Sequence, residues 1–264
     1  MTTTQRSPNY ASWQDSDAEE KGLISPVQDG HQVLTDDVHT TIRHGFIRKV
    51  YGILSVQLLI TTVMAACLCT DAAKLFIAKN AAILWVAMAV QLVLTFVMMC
   101  FSGLMRQFPT NYILLGVWTA VEGLLVGSIC AFTDPQLVLV AAALTTGIVL
   151  SLTLFAFQTK YDFTGIGPYL FVCCIALFLT GLVLMIMSAC GLHFKWAHII
   201  YAGLGVLLFS IYLVYDTQLI VGKKHYRFAF SVDDYCFAAL MLYIDIIQIF
   251  LYLLRLLQML RSSD

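Results

Sequence analysis

Charge is what this chain has least of. Only 12% of its 264 residues are Asp, Glu, Lys or Arg, about half the share of an average soluble domain, while 60% are hydrophobic and the mean hydropathy is +0.83. That excludes a soluble globular domain and implies a polytopic membrane protein. There is no basic excess either: the net charge is −1 and the pI about 6.6, so no stripe exists to neutralise phosphates, and nucleic acid is excluded as a partner. No Asn heads an N-x-S/T sequon, so no luminal glycan is expected. The eight cysteines all fall within or at the edge of apolar runs, without the loop placement of a disulfide framework or the paired spacing of a zinc site, and are read as packing thiols. No cleavable signal peptide is expected, because the first apolar run begins near residue 50 and is long enough to span. Proline is scarce where it would break a helix: Pro8, Pro26, Pro109 and Pro135 lie in the tail or in polar breaks, and Pro168 lies at a helix start.

What is present is a sequence of long apolar runs. Residues 1–42 carry seven acids with Ser and Pro and little apolar periodicity, and read as a disordered cytosolic tail. Seven candidate spans come after it, at about 50–70, 81–101, 112–132, 136–157, 168–190, 198–221 and 235–254. At ~1.5 Å per residue each suffices to cross a ~30 Å hydrocarbon core as helix. The fold class is therefore an all-α membrane protein, with a transmembrane domain over 43–257 and a short C-terminal tail over 258–264. Ten Lys and Arg flank one set of span ends and five the other, which orients the N-terminus to the cytosol and, with seven crossings, the C-terminus to the opposite side unless the last segment is re-entrant.

Three acids fall deep in predicted spans: Glu122, Asp216 and Asp245. A carboxylate at the bilayer centre costs ~2.5–3.5 kcal/mol on insertion scales, so such residues face a bundle interior or a water-filled cavity. In the seventh span Asp245, Gln248, Tyr252 and Arg255 fall within an arc of roughly 80°, one polar stripe on an apolar helix. In the sixth, Gly205, Tyr212 and Asp216 share a face, with the glycine allowing close approach of another helix. The 13-residue loop GKKHYRFAFSVDD between these spans makes them antiparallel neighbours, so the two aspartates can meet although their depths from the loop differ by ~8 Å. In an apolar interior two such carboxylates share one proton, which makes the pair a pH-sensitive switch and a transient oxygen site for Ca²⁺ that competes with that proton. A plain helix-to-helix hydrogen bond is the simpler alternative.

Glu122 has no acid partner at helical spacing; a pore role and a hydrogen-bonded packing role both stand open, with Gly123 and Gly127 beside it forming a small-xxx-small packing pattern. Arg106 reads as a snorkelling anchor at the end of the second span, with counter-charge to the aspartate pair as its alternative. Lys223, Lys224, His225 and Arg227 form a juxtamembrane basic cluster, an orientation signal or a contact for anionic lipid.

The stretches LVYDTQLIVG (213–222), DDYCFAALMLYIDIIQIFLYLLRLL (233–257) and FIRKVYGILSVQLLITT (46–62) resemble the transmembrane BAX inhibitor motif family, and specifically its Lifeguard branch, over about residues 43–257. The resemblance implies a seven-helix fold with the last helix central within the other six. It implies a regulator of apoptosis and a pH-sensitive Ca²⁺ leak channel of intracellular membranes that lowers store calcium; neither an enzymatic activity nor a cofactor is expected. It places the pH sensor and ion gate on Asp216 and Asp245 and a basic residue associated with it on Arg106; Tyr212, Gln248 and Tyr252, which share helical faces with the two aspartates, are read as supporting polar groups. Gln248 stands where an asparagine is frequent. The implied location is the endoplasmic reticulum, Golgi or a related endomembrane, with the plasma membrane as alternative, and the implied partners are Ca²⁺, protons, the bilayer and apoptosis-regulating membrane proteins. Two other readings compete: a non-transporting anti-apoptotic scaffold acting through protein partners, and an aspartyl intramembrane protease. The second fits Tyr215-Asp216 but fails at Leu242-Tyr243-Ile244-Asp245, where a glycine-containing GxGD would be needed.

Overall fold

The structure, a computed structural model, describes residues 36–192, 194–222, 230 and 234–261. They form eight α-helices, and no strand occurs among them: α1 Asp36–Leu68, α2 Asp71–Lys79, α3 Ala82–Cys100, α4 Thr110–Ala131, α5 Pro135–Gln158, α6 Gly167–Ala189, α7 Lys195–Val221 and α8 Tyr235–Arg261. Short 3₁₀ turns precede α4 (Ser102–Arg106) and α6 (Thr164–Ile166). The chain divides at Phe46, inside α1, into two units. In the first the Arg43 guanidinium lies 5.5 Å from the Phe46 ring centroid. The second, residues 47–264, contains the helical bundle.

Six helices are long and apolar enough to cross a bilayer, and a seventh span is made if α2 and α3, bent by 83° at their break, count together. The 33-residue α1 starts at Asp36, ahead of the expected boundary at 43, because Val38, Ile42, Phe46 and Val50 continue its apolar spacing toward the N-terminus. The rest of the expected tail, residues 1–35, and the basic cluster Lys223, Lys224, His225 and Arg227 lie outside the described residues. Local signals set other boundaries. Asp134 caps α5 by accepting the Gln136 N–H at 2.9 Å, with Pro135 in the first turn. Gly222, at φ +57°, ends α7 in the left-handed conformation glycine adopts at no steric cost.

Polar contacts tie the two ends of the bundle. At one end Arg106 Nε donates to Asp234 Oδ1 at 2.6 Å, Asn111 Nδ2 to the Tyr235 hydroxyl at 3.0 Å, and the Lys49 ammonium sits 3.3 Å from the Tyr235 ring centroid. At the other, Gln258 Nε2 donates to Thr133 Oγ1 at 2.8 Å and Arg261 pairs with Asp134. Helix α8 therefore begins beside the start of α4 and ends beside its finish, running along its whole length. It continues to Arg261, past the expected limit at 257, because its last turn carries these two polar contacts.

Helix α8 is the central one: 61% of its most apolar window is buried, against 11% for α5 and 17% for α6. It packs on α7, α5 and α4, and Tyr243 reaches α1 through Thr61. Small residues bring the helices together. A Cβ on Gly127 would lie 3.0 Å from the Ala65 Cα, and one on Gly205 would lie 2.5 Å from the Tyr252 ring, so α1–α4 and α7–α8 close at glycine. All eight cysteines are free thiols.

Candidate functional site

The six residues of LVYDTQ hold together four parts of the bundle. Burial on α7 is complete over Asp216, Thr217 and Gln218, each 0% exposed. Successive residues on a helix point about 100° apart, so these three polar side chains must find partners on three different neighbours.

Asp216 finds α8. Its carboxyl group lies against that of Asp245, itself 3% exposed. As two carboxylates the groups have no donor between them, and Asp216 Oδ1, Asp216 Oδ2 and Asp245 Oδ2 are buried without a partner. A single proton placed between them would convert the same contact into an O–H···O hydrogen bond. Around the pair lie Tyr212, whose hydroxyl meets the Cys174 thiol of α6, and Tyr215, packed on Gly167 at the start of α6. Thr217 faces the Tyr51 hydroxyl of α1. Gln218 accepts the Phe163 N–H at 2.8 Å and donates to the Tyr161 carbonyl at 2.8 Å, clamping the α5–α6 connection, where Asp162 Oδ1 also accepts the Thr164 N–H at 2.8 Å.

The other residues singled out in the sequence go elsewhere. Arg106 meets Asp234, with Nη2 reaching Oδ2 at 3.3 Å, and not the aspartate pair. Its counter-charge is the acid one residue before α8, because the 3₁₀ turn Ser102–Arg106 holds it at the helix end while Asp245 lies eleven residues beyond that acid. Glu122 accepts from Gln91 Nε2 of α3 at 2.8 Å. Gln248 is half-buried on α8. Tyr252 sits over Gly205 and its hydroxyl lies 3.1 Å from that of Tyr201. Arg255 Nη2 donates to His198 Nδ1 at 2.9 Å and its guanidinium lies 5.6 Å from the Tyr201 ring centroid. Since arginine only donates, Nδ1 is the bare nitrogen of a neutral imidazole, whose Nε2–H faces Ser188 Oγ at 3.3 Å.

Gln218, Thr217 and Asp234 carry no distinguishing mark in the sequence, where an amide or hydroxyl in an apolar run tells nothing of its partner. The only hint for Gln218 was its place two residues after a buried acid. Among the described residues no three His, Cys, Asp or Glu side chains converge, so the pair offers a cation two carboxylates and the groups beside them.

The family described as "Inhibitor of apoptosis-promoting Bax1" matches residues 43–262. The chain is 37% identical over 252 residues to human "Protein lifeguard 3", covering 94% of this chain and 78% of the relative. Over 219 residues it is 38% identical to mouse "Protein lifeguard 3", with 81% and 69% covered. To "Protein LIFEGUARD 4" of Arabidopsis thaliana it is 37% identical over 225 residues, with 81% and 85% covered.

Proposed function

The chain belongs to the family of inhibitors of apoptosis-promoting Bax1, and from that premise we propose that it is a non-enzymatic, anti-apoptotic protein of intracellular membranes that acts as a pH-sensitive Ca²⁺ leak gated by Asp216 and Asp245. The observation that supports the gate is a pair of fully buried carboxyl groups in contact across two helices, three of whose oxygens lack a donor. Buried polar groups in lipid-embedded helices are satisfied or functional.

In the closed state one shared proton bonds Asp216 to Asp245 and ties α7 to α8. Loss of that proton leaves two like charges side by side in an apolar interior, which drives the helices apart or draws in a cation. Ca²⁺, a hard cation that takes oxygen ligands, binds the separated carboxylates in passing. Tyr212 and Cys174 line the approach to the pair, and the Gln218 clamp holds the α5–α6 connection against α7 so that the separation falls on the α7–α8 contact. Arg106 steadies the start of α8 through Asp234. The N-terminus faces the cytosol, placing the Arg106–Asp234 end on that side.

The test is Ca²⁺ efflux from liposomes containing the purified chain, measured across pH. Efflux that depends on protein and changes with pH over the range in which a buried carboxyl pair titrates supports the proposal. Liposomes as tight as protein-free ones at every pH refute the leak.

A further inference from the structure

The central helix is polar on a second face. Tyr243 lies two residues from Asp245, about 200° round the helix, and so points away from the aspartate pair. Its hydroxyl lies 2.6 Å from Thr61 Oγ1 on α1, and its ring meets Trp118 of α4 edge-on with centroids 5.5 Å apart. Beside it, Gln57 Nε2 of α1 donates to Thr119 Oγ1 at 3.0 Å and Gln91 Nε2 of α3 donates to Glu122 Oε2 at 2.8 Å. Thr119 and Glu122 are one helical turn apart on one face of α4, so the two glutamine amides converge on the same stretch of that helix.

Both amides are left half-satisfied. Gln57 Oε1 and Gln91 Oε1 are buried without a partner, on residues 3% and 9% exposed. Their orientations are set by the groups they face. The Thr119 hydroxyl already donates to the Leu115 carbonyl at 2.8 Å, so it takes only a donor from Gln57. An ionised Glu122 takes only a donor from Gln91. The result is two unmatched amide carbonyls and one carboxylate on side chains that bond to residues one turn apart on α4. A proton on Glu122 would serve Gln91 and leave Gln57 Oε1 unmatched, whereas a hard cation takes amide carbonyl and carboxylate oxygens alike. The single carboxylate balances one positive charge, and a divalent ion would leave a net charge buried.

We propose that Glu122, Gln91 and Gln57 form a site for a small, hard monovalent cation of the Na⁺ class, enclosed by α1, α3 and α4 and separate from the aspartate pair. Because α1 closes onto α4 through Gly123 and Gly127, an ion held there braces the face of the bundle opposite the gate. The site does not depend on the gating role of Asp216 and Asp245.

The test is thermal unfolding of the full chain in detergent, followed by intrinsic fluorescence, in sodium chloride and in choline chloride at equal ionic strength. Na⁺ should raise the Tm saturably, by about 3 °C, because it binds the folded state alone. Asp216→Asn should keep that rise, and Glu122→Gln and Gln57→Leu should each abolish it. The same Tm in both salts overturns the proposal, as does a Na⁺ shift that survives either substitution or a shift produced by Ca²⁺ and not by Na⁺. If Glu122→Gln fails to fold, Gln57→Leu alone decides. Loss of the Na⁺ effect leaves the Ca²⁺ efflux experiment untouched, so the two proposals stand or fall apart.

Discussion

The Gln218 side chain is bonded to the backbone of Tyr161, its Nε2 donating to the carbonyl oxygen at 2.8 Å. The same amide takes the Phe163 N–H, so one buried residue of α7 completes the hydrogen bonding of a connection 55 residues upstream. Gln218→Ala leaves the Phe163 N–H and the Tyr161 carbonyl without their side-chain partner, and should lower stability by about 1–2 kcal/mol. Thermal unfolding in detergent checks it, and a Tm equal to that of the wild type would show the clamp to be dispensable.

Gly205→Ala tests a close approach in the α7–α8 contact. The added Cβ would sit 2.5 Å from the Tyr252 ring, so either the ring or the helix must move. The expected cost is about 1–3 kcal/mol, with part of it recovered in Gly205→Ala/Tyr252→Leu because the smaller side chain makes room. Unfolding of the two variants side by side reads that recovery.

The Asp134 carboxyl at the head of α5 is held below the ordinary carboxylate range, first by the Gln136 N–H and then by Arg261. A folded-state value below the unfolded one means that the group contributes stability above the unfolded value of about 3.9 and loses it as pH falls through the lowered one. Asp134→Asn should therefore be less stable than the wild type at neutral pH, and the two should converge in acid. Unfolding midpoints measured down to about pH 3 would show this, and a gap that persists in acid would contradict it.

Most of the fold is legible in the sequence because apolar length is a strong signal in a membrane chain. The spans beginning near 112, 136, 168, 198 and 235 correspond to α4 through α8 within a few residues. The break after α1 is different: Asp71–Lys79 reads as a polar connection, yet it folds as a helix because Ala and Leu favour helix and its acid and base stand at the ends that suit the dipole. The juxtaposition of Asp216 and Asp245 follows from a short loop and helical spacing. Arg106 does not follow, since a basic residue at a span end has several acids within reach and only three dimensions select Asp234. The Glu122 cluster is hidden for the same reason: Gln57, Gln91 and Thr119 come from three separate helices.

The aspartate pair also separates a leak from a scaffold that suppresses cell death by binding partners. If the leak carries the protection, cells expressing Asp216→Asn/Asp245→Asn should lose it at equal expression and retain a higher store calcium. Full protection by the double variant would assign the effect to protein partners.

The most direct measurement is Ca²⁺ efflux from proteoliposomes containing wild type, Asp216→Asn or Asp245→Asn, from about pH 5 to about pH 8. An amide in place of either acid removes the shared proton but keeps a hydrogen bond between α7 and α8, so both variants should show efflux that no longer responds to pH. Efflux in both variants with the magnitude and pH dependence of the wild type would contradict the gate.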